Sequence, residues 1–118
     1  MKTKSYILFT ALMIISVSST VAQRIQKAEI KVSVQCDMCK ERIEKAMSNE
    51  KGVRFYNVDL IEKTLYVEFD TSKTDIGKIR ITVSKQGYEA DEVAADPKAY
   101  ANLPACCKKP SDHDHIHH

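Results

Sequence analysis

Between Ala28 and Val93 the apolar residues switch repeatedly between a two-residue and a helical spacing, and that succession constrains the fold more than any other feature. Ala28-Glu29-Ile30-Lys31-Val32-Ser33-Val34 alternates apolar and polar, the period of a strand with one buried face. Cys39, Ile43, Ala46 and Met47 then share one helical face, with Asp37 placed to cap the helix start and Asn49 and Gly52 placed to end it. Val53 to Leu60 returns to strand spacing, with Tyr56, Val58 and Leu60 on one side. Ile61-Glu62-Lys63 reads as a tight connection, and Leu65, Val67 and Phe69 alternate beyond it, so the two strands form an antiparallel hairpin. Thr74 or Asp75 is a cap for a second helix carrying Ile76, Ile79 and Val83, and Gly87 stands where a helix stop belongs. Tyr88 to Val93 reads as a weaker fourth strand. Each helix links strands that are not hairpin partners. The economical arrangement is one antiparallel sheet with both helices on one face, an α+β, ferredoxin-like β-α-β-β-α-β sandwich.

What precedes and follows this unit differs in character. Lys2 and Lys4 form a basic start, Tyr6 to Ile15 is mostly apolar, and Thr20 and Ala22 supply small and polar residues before Gln23. This is the pattern of a secretory signal peptide, expected over residues 1–22. The apolar run is short for a membrane span of about 20 residues. The expected location is therefore exported, periplasmic or secreted, with a retained signal anchor as the alternative. The domain is expected over residues 23–95 and a Cys/His-rich C-terminal tail over 96–118. Loss of Lys2 and Lys4 takes the basic residues from 18 to 16, against 16 acidic ones, so the processed chain is close to neutral. A neutral chain without a basic stripe has no electrostatic footprint for nucleic acid.

Four cysteines remain after processing: Cys36, Cys39, Cys106 and Cys107. They lie in two tight local pairs, which close almost no loop and would constrain the unfolded chain little. Cys36-x-x-Cys39 admits a metal claw, a redox couple or a local disulfide. The pattern places Cys36 in the loop leaving the first strand and Cys39 in the first helical turn. Unpaired N–H groups and the partial positive charge of a helix start favour thiolates there. Two soft thiolates on a loop suit Cu(I), Hg(II) and similar ions better than hard cations. A thiol–disulfide redox protein also uses Cys-x-x-Cys at a helix start. Its usual Trp before the motif and Pro within it are missing here, and the chain contains no Trp. The sequence shows no catalytic set: every histidine lies in the last six residues, and no phosphate-binding loop is present.

These features together resemble the heavy-metal-associated (HMA) family. That family takes in small copper chaperones, the N-terminal domains of copper-exporting P-type ATPases and the exported mercury-binding protein. The matching residues are Cys36-x-x-Cys39 after the first strand, Gly52-Val53, Val58-Asp59-Leu60, the Lys63-Thr64 turn, Leu65 to Asp70, and Gly87-Tyr88. The resemblance implies that Cys36 and Cys39 are metal ligands and that Tyr88 lies in the loop facing them. It implies Cu(I) as the ion, with Hg(II) or Zn(II) as alternatives, and a metal-transporting ATPase or another metal-binding protein as partner. The family's Gly-Met-x-Cys is here Ser33-Val34-Gln35-Cys36, so Val34 takes the place of a buried methionine. Met38, inside the motif, carries a soft thioether.

The tail holds a second set of ligands. Cys106 and Cys107 are adjacent, and side chains of neighbouring residues tend to diverge, so one simple chelate is not expected from the pair. His113, His115, His117 and His118 form a tract of the kind that holds borderline ions through imidazole nitrogens. The tail is expected to be an appendage, partly disordered, with a short helix over Lys98 to Asn102. A fold-back that brings Cys106 or Cys107 to Cys36 and Cys39 as a third ligand is one expectation from this clustering.

Overall fold

The computed structural model describes residues 24–110. The expected signal peptide and the four histidines lie outside the described residues. Strand β1 runs Ile25–Lys31, helix α1 Asp37–Ser48, β2 Val53–Asp59, β3 Thr64–Asp70 and helix α2 Ile76–Lys85. A short helix α3, Pro97–Ala101, and a 3-10 turn, Ala105–Cys107, follow. The sheet order is β1-β3-β2, and both pairings are antiparallel. In β3, Leu65, Val67 and Phe69 face the helices and are buried, with Ile30 from β1 and Val58 from β2 beside them. Helix α1 covers them with Cys39, Ile43 and Met47, and α2 with Ile79 and Val83. One apolar stripe per helix and one apolar face on the sheet therefore close a two-layer core.

Three local expectations are corrected. The first strand begins earlier than Ala28, because β1 pairs with β3 from Ile25↔Asp70 to Lys31↔Thr64. Asp37 does not cap α1: it is the first helical residue, and Cys36 occupies the cap position without a side-chain hydrogen bond. Asp75 does cap α2, accepting from the Lys78 N–H at 2.9 Å. The fourth strand is reduced to two isolated bridges, Val32↔Ala90 and Ala90↔Val93. The physical cause is Asp91, which sits at φ 52 and turns the chain back on itself. Its carboxylate accepts the Lys31 N–H at 2.9 Å and pairs with Arg80 at 2.9 Å. A side chain thus takes a donor that a longer ladder would have used.

The tail is also not an appendage over its described length. Asp96 caps α3 by accepting from the Lys98 and Ala99 N–H groups, and its own N–H donates to the Ser84 carbonyl at 3.0 Å. Leu103 and Cys107 are buried with the domain core, and Tyr100 packs against it. Lys109 reaches Glu89 at 2.6 Å. The dock depends on Gly87, whose φ is +100. A Cβ there would lie 3.1 Å from the Ala99 carbonyl carbon and oxygen and from Leu103 Cδ1. Gly87→Ala should destabilise the chain by about 1–3 kcal/mol through backbone strain and the forced separation of α3. Thermal unfolding measures this. The loss should shrink in a chain ending at Asp96, where strain remains and the clash is gone. An equal loss in both backgrounds would show that Gly87 does not seat the tail.

Candidate metal centre

The loop Val32 to Gln35 carries the chain from β1 to α1, with Val34 fully buried beneath it. Cys36 ends the loop at the helix cap, and its carbonyl accepts from the Cys39 and Lys40 N–H groups at 3.0 and 3.2 Å. One helical turn separates the two motif cysteines, which brings Cys36 Sγ and Cys39 Sγ to 3.5 Å. Cys39 is buried on the core face of α1, whereas Cys36 is part-exposed at the rim.

The tail delivers its two thiols to the same point. Cys36 Sγ lies 3.3 Å from Cys106 Sγ and 3.6 Å from Cys107 Sγ. Cys106 and Cys107 are 3.9 Å apart, and the sulfurs of Cys36, Cys106 and Cys107 all lie within 4.8 Å of one another. The expected divergence of the adjacent pair is corrected here. The two tail sulfurs and Cys36 Sγ form a nearly equilateral triangle. All four thiols are free. Met38 is largely exposed and touches only the outer edge of the group, with Sδ 3.7 Å from Cys106 Sγ.

The environment separates Cys36 electrostatically from Cys106 and Cys107. Burial opposes ionisation of Cys36, but the Cys39 N–H and the thiols of Cys106, Cys39 and Cys107 outweigh it, and the pKa falls to about 7. Burial, followed by the neighbouring Cys39 and Cys36 sulfurs, pushes the Cys107 thiol up. Cys106 is also raised, first by its hydrogen bond with Cys36. Cys36 therefore ionises near neutral pH, well before Cys106 and Cys107. Alkylation of the reduced, metal-free protein by iodoacetamide should rise at Cys36 with a midpoint near pH 7, since the thiolate is the nucleophile. Cys107 should stay unmodified. Peptide mass spectrometry checks both, and a Cys36 rate that rises only above pH 8.5 would contradict the assignment.

Tyr88 closes the floor of the site. It is the largest fully buried side chain and its hydroxyl makes no hydrogen bond of good geometry. Burial, and after it the proximity of the Cys39 and Cys107 thiols, pushes its pKa well above the usual tyrosine range. An O–H that is fully buried, unpartnered and beside two thiols is a donor awaiting a charged acceptor, and metal-bound thiolates would supply one. The donor set itself, three or four cysteine sulfurs with a neutral hydroxyl, suits soft d10 ions.

Residues 29–89 match the family model of the heavy-metal-associated domain, just over half of the chain. The chain belongs to the heavy-metal-associated family. Copper chaperone CopZ of Staphylococcus aureus is 30% identical over 56 residues, covering 48% of this chain and 82% of that protein. Oxidized MerP from Ralstonia metallidurans superposes with a TM-score of 0.55 at 26% identity, over 57% of this chain and 94% of that one. The N-terminal domain of a potential copper-translocating P-type ATPase from Bacillus subtilis, in its Cu(I)-loaded state, gives 0.54 at 28% identity, over 57% and 85%.

The family match contains Cys36, Cys39 and Tyr88 and stops before Cys106 and Cys107. The tail half of the sulfur cluster is therefore an addition to the HMA unit. The structure places Cys36, Cys39 and Tyr88 around one loop and brings Cys106 and Cys107 to it. The tail's contribution to the core was not anticipated. Its signal was Tyr100 and Leu103, apolar residues one turn apart at the end of the short helix, where the Leu103 N–H donates to the Tyr100 carbonyl. No helix among the described residues is long and apolar enough to cross a membrane.

Proposed function

We propose that this HMA protein is an exported Cu(I) carrier or buffer that takes its ion on the Cys36–Cys39 thiolate pair and exchanges it with other metal-binding proteins. The observation that carries the reading is the 3.5 Å approach of Cys36 and Cys39 at the start of α1, inside the family-matched segment. The low pKa of Cys36 supports it, because a ligand already ionised near neutral pH need not lose a proton when the ion arrives. Likeness to CopZ and to the Bacillus subtilis ATPase domain supports Cu(I) as the cargo and a metal-transporting ATPase as a partner. The basic and apolar N-terminus supports export. The thiols offer a charge-matched seat for a soft ion, which supports a binding role.

The test is an anaerobic Cu(I) titration of the reduced full-length chain against a chelator strong enough to keep the histidine tract empty. One ion should bind tightly, and Cys36→Ser/Cys39→Ser should abolish that binding. Retention of the tight site in the double variant would overturn the reading. Mass analysis of the chain recovered from an exporting host should show loss of residues 1–22.

A further inference from the structure

The geometry points to a gating role for the C-terminal Cys106–Cys107 turn: it supplies thiolates to the ion held at Cys36 and so occupies the coordination position through which the ion would leave. This inference rests on the binding role proposed for Cys36 and Cys39.

The first support is placement. Cys36 is the shared member of two sulfur groups, one with Cys39 and one with Cys106 and Cys107. With metal–sulfur bonds of about 2.3 Å, sulfurs opposite each other on a linear ion are about 4.6 Å apart, and sulfurs around a trigonal or tetrahedral ion about 3.8–4.0 Å. The separations around Cys36 and within the tail pair run from 3.3 to 3.9 Å. The sulfurs of Cys36, Cys106 and Cys107 reach a trigonal arrangement by opening at most about 0.7 Å, whereas the Cys36–Cys39 pair reaches a linear one only by opening about 1.1 Å.

The second support is that the tail is held there. Pro97–Ala101 docks on Gly87, Leu103 is buried, and Cys107 is only 1% exposed. The cost of closing the long loop between Cys36 and the tail is therefore met by packing rather than by the ion. The third is Tyr88, an unpartnered hydroxyl beside Cys107 as well as Cys39. Its position serves a site that includes the tail.

The chemical consequence follows from how soft ions move between thiolates. A two-thiolate ion is handed on when an incoming thiolate adds as a third ligand and an original one departs. Here the chain's own tail holds that third place at high effective concentration. Each thiol that ligates gives its proton to solvent, and no electron is transferred. An acceptor must first displace the turn, which is seated by the short helix, by Tyr100, Leu103 and Cys107 against the core and by the Lys109–Glu89 pair.

The test uses full-length protein with one equivalent of Cu(I). X-ray absorption should find more than two sulfur neighbours per ion in the wild type and two in Cys106→Ser/Cys107→Ser. Transfer of Cu(I) to a competing chelator should be at least about tenfold faster from that variant, as expected for the loss of a ligand to the ion. Cys107 is buried, so the exposed Cys106→Ser is the control that leaves packing intact, and it should also accelerate transfer. Two sulfur neighbours in every protein, with equal transfer rates, would overturn the gate while leaving the Cys36–Cys39 site standing. Cu(I) affinity lost entirely in a folded Cys106→Ser/Cys107→Ser protein would instead count against the Cys36–Cys39 pair as the principal site.

Discussion

Replacing Cys36 by serine is expected to cost more Cu(I) affinity than replacing Cys39. A four-ligand structural thiolate or imidazole site contributes about 10–16 kcal/mol, or roughly 2.5–4 kcal/mol per ligand. Loss of one ligand then weakens binding by about 100- to 1000-fold. Cys39 is one partner of Cys36, at 3.5 Å. Cys36 is the common neighbour of all three other thiols, at 3.3, 3.5 and 3.6 Å. Without Cys39, the ion keeps Cys36 and the tail pair. Without Cys36, the centre of the group is gone and the thiol with the low pKa goes with it. Cys36→Ser should therefore fall at or beyond the upper end of that range and Cys39→Ser near the lower end. Competition titrations of the two single variants decide it. Equal losses would describe a symmetric two-thiolate site with an idle tail.

Tyr88→Phe is expected to stabilise the metal-free protein while reducing the stabilisation that Cu(I) confers. The hydroxyl is fully buried with no well-formed hydrogen bond, and its desolvation costs about 1–2 kcal/mol. Phenylalanine keeps the ring in the core and removes that cost. For a domain of this size the gain corresponds to a rise in Tm of about 5–10 °C. In the loaded protein the same hydroxyl can donate to a charged thiolate, a stronger bond than one to a neutral thiol, so the advantage should vanish or reverse. Tyr88→Ala separates this effect from packing. It empties the largest buried side-chain volume and should cost about 3–5 kcal/mol in either state. Thermal unfolding with and without Cu(I) reads all of these, and a metal-free Tyr88→Phe that melts below the wild type would show that the hydroxyl is already satisfied.

Much of the fold was legible because it is written in short-range periodicity. The stripes Cys39/Ile43/Met47 and Ile79/Val83 and the alternating Leu65/Val67/Phe69 appear in the structure on the faces their spacing assigns. The stop at Asn49 and the cap at Asp75 likewise depend on neighbours within one turn. The misreadings share a cause. Asp37 looks like a cap in one dimension, but Cys36 holds the extended backbone conformation at the helix start. Tyr88 to Val93 looks like a strand, but Asp91 finds Lys31 and Arg80, residues distant in sequence, and turns the chain.

The sequence by itself determined the layer architecture and the Cys36-x-x-Cys39 loop at a helix start, and its resemblance to the HMA family implied the place of Tyr88 opposite that loop. Each follows from residues that act on near neighbours or belong to a motif of fixed spacing. Only the tertiary structure decided that Cys106, 70 residues from Cys36, stands 3.3 Å from it. That contact depends on how Gly87 admits the Ala99 backbone and how Leu103 finds the core. Such an approach is set by packing in three dimensions, and no local pattern of residues encodes it.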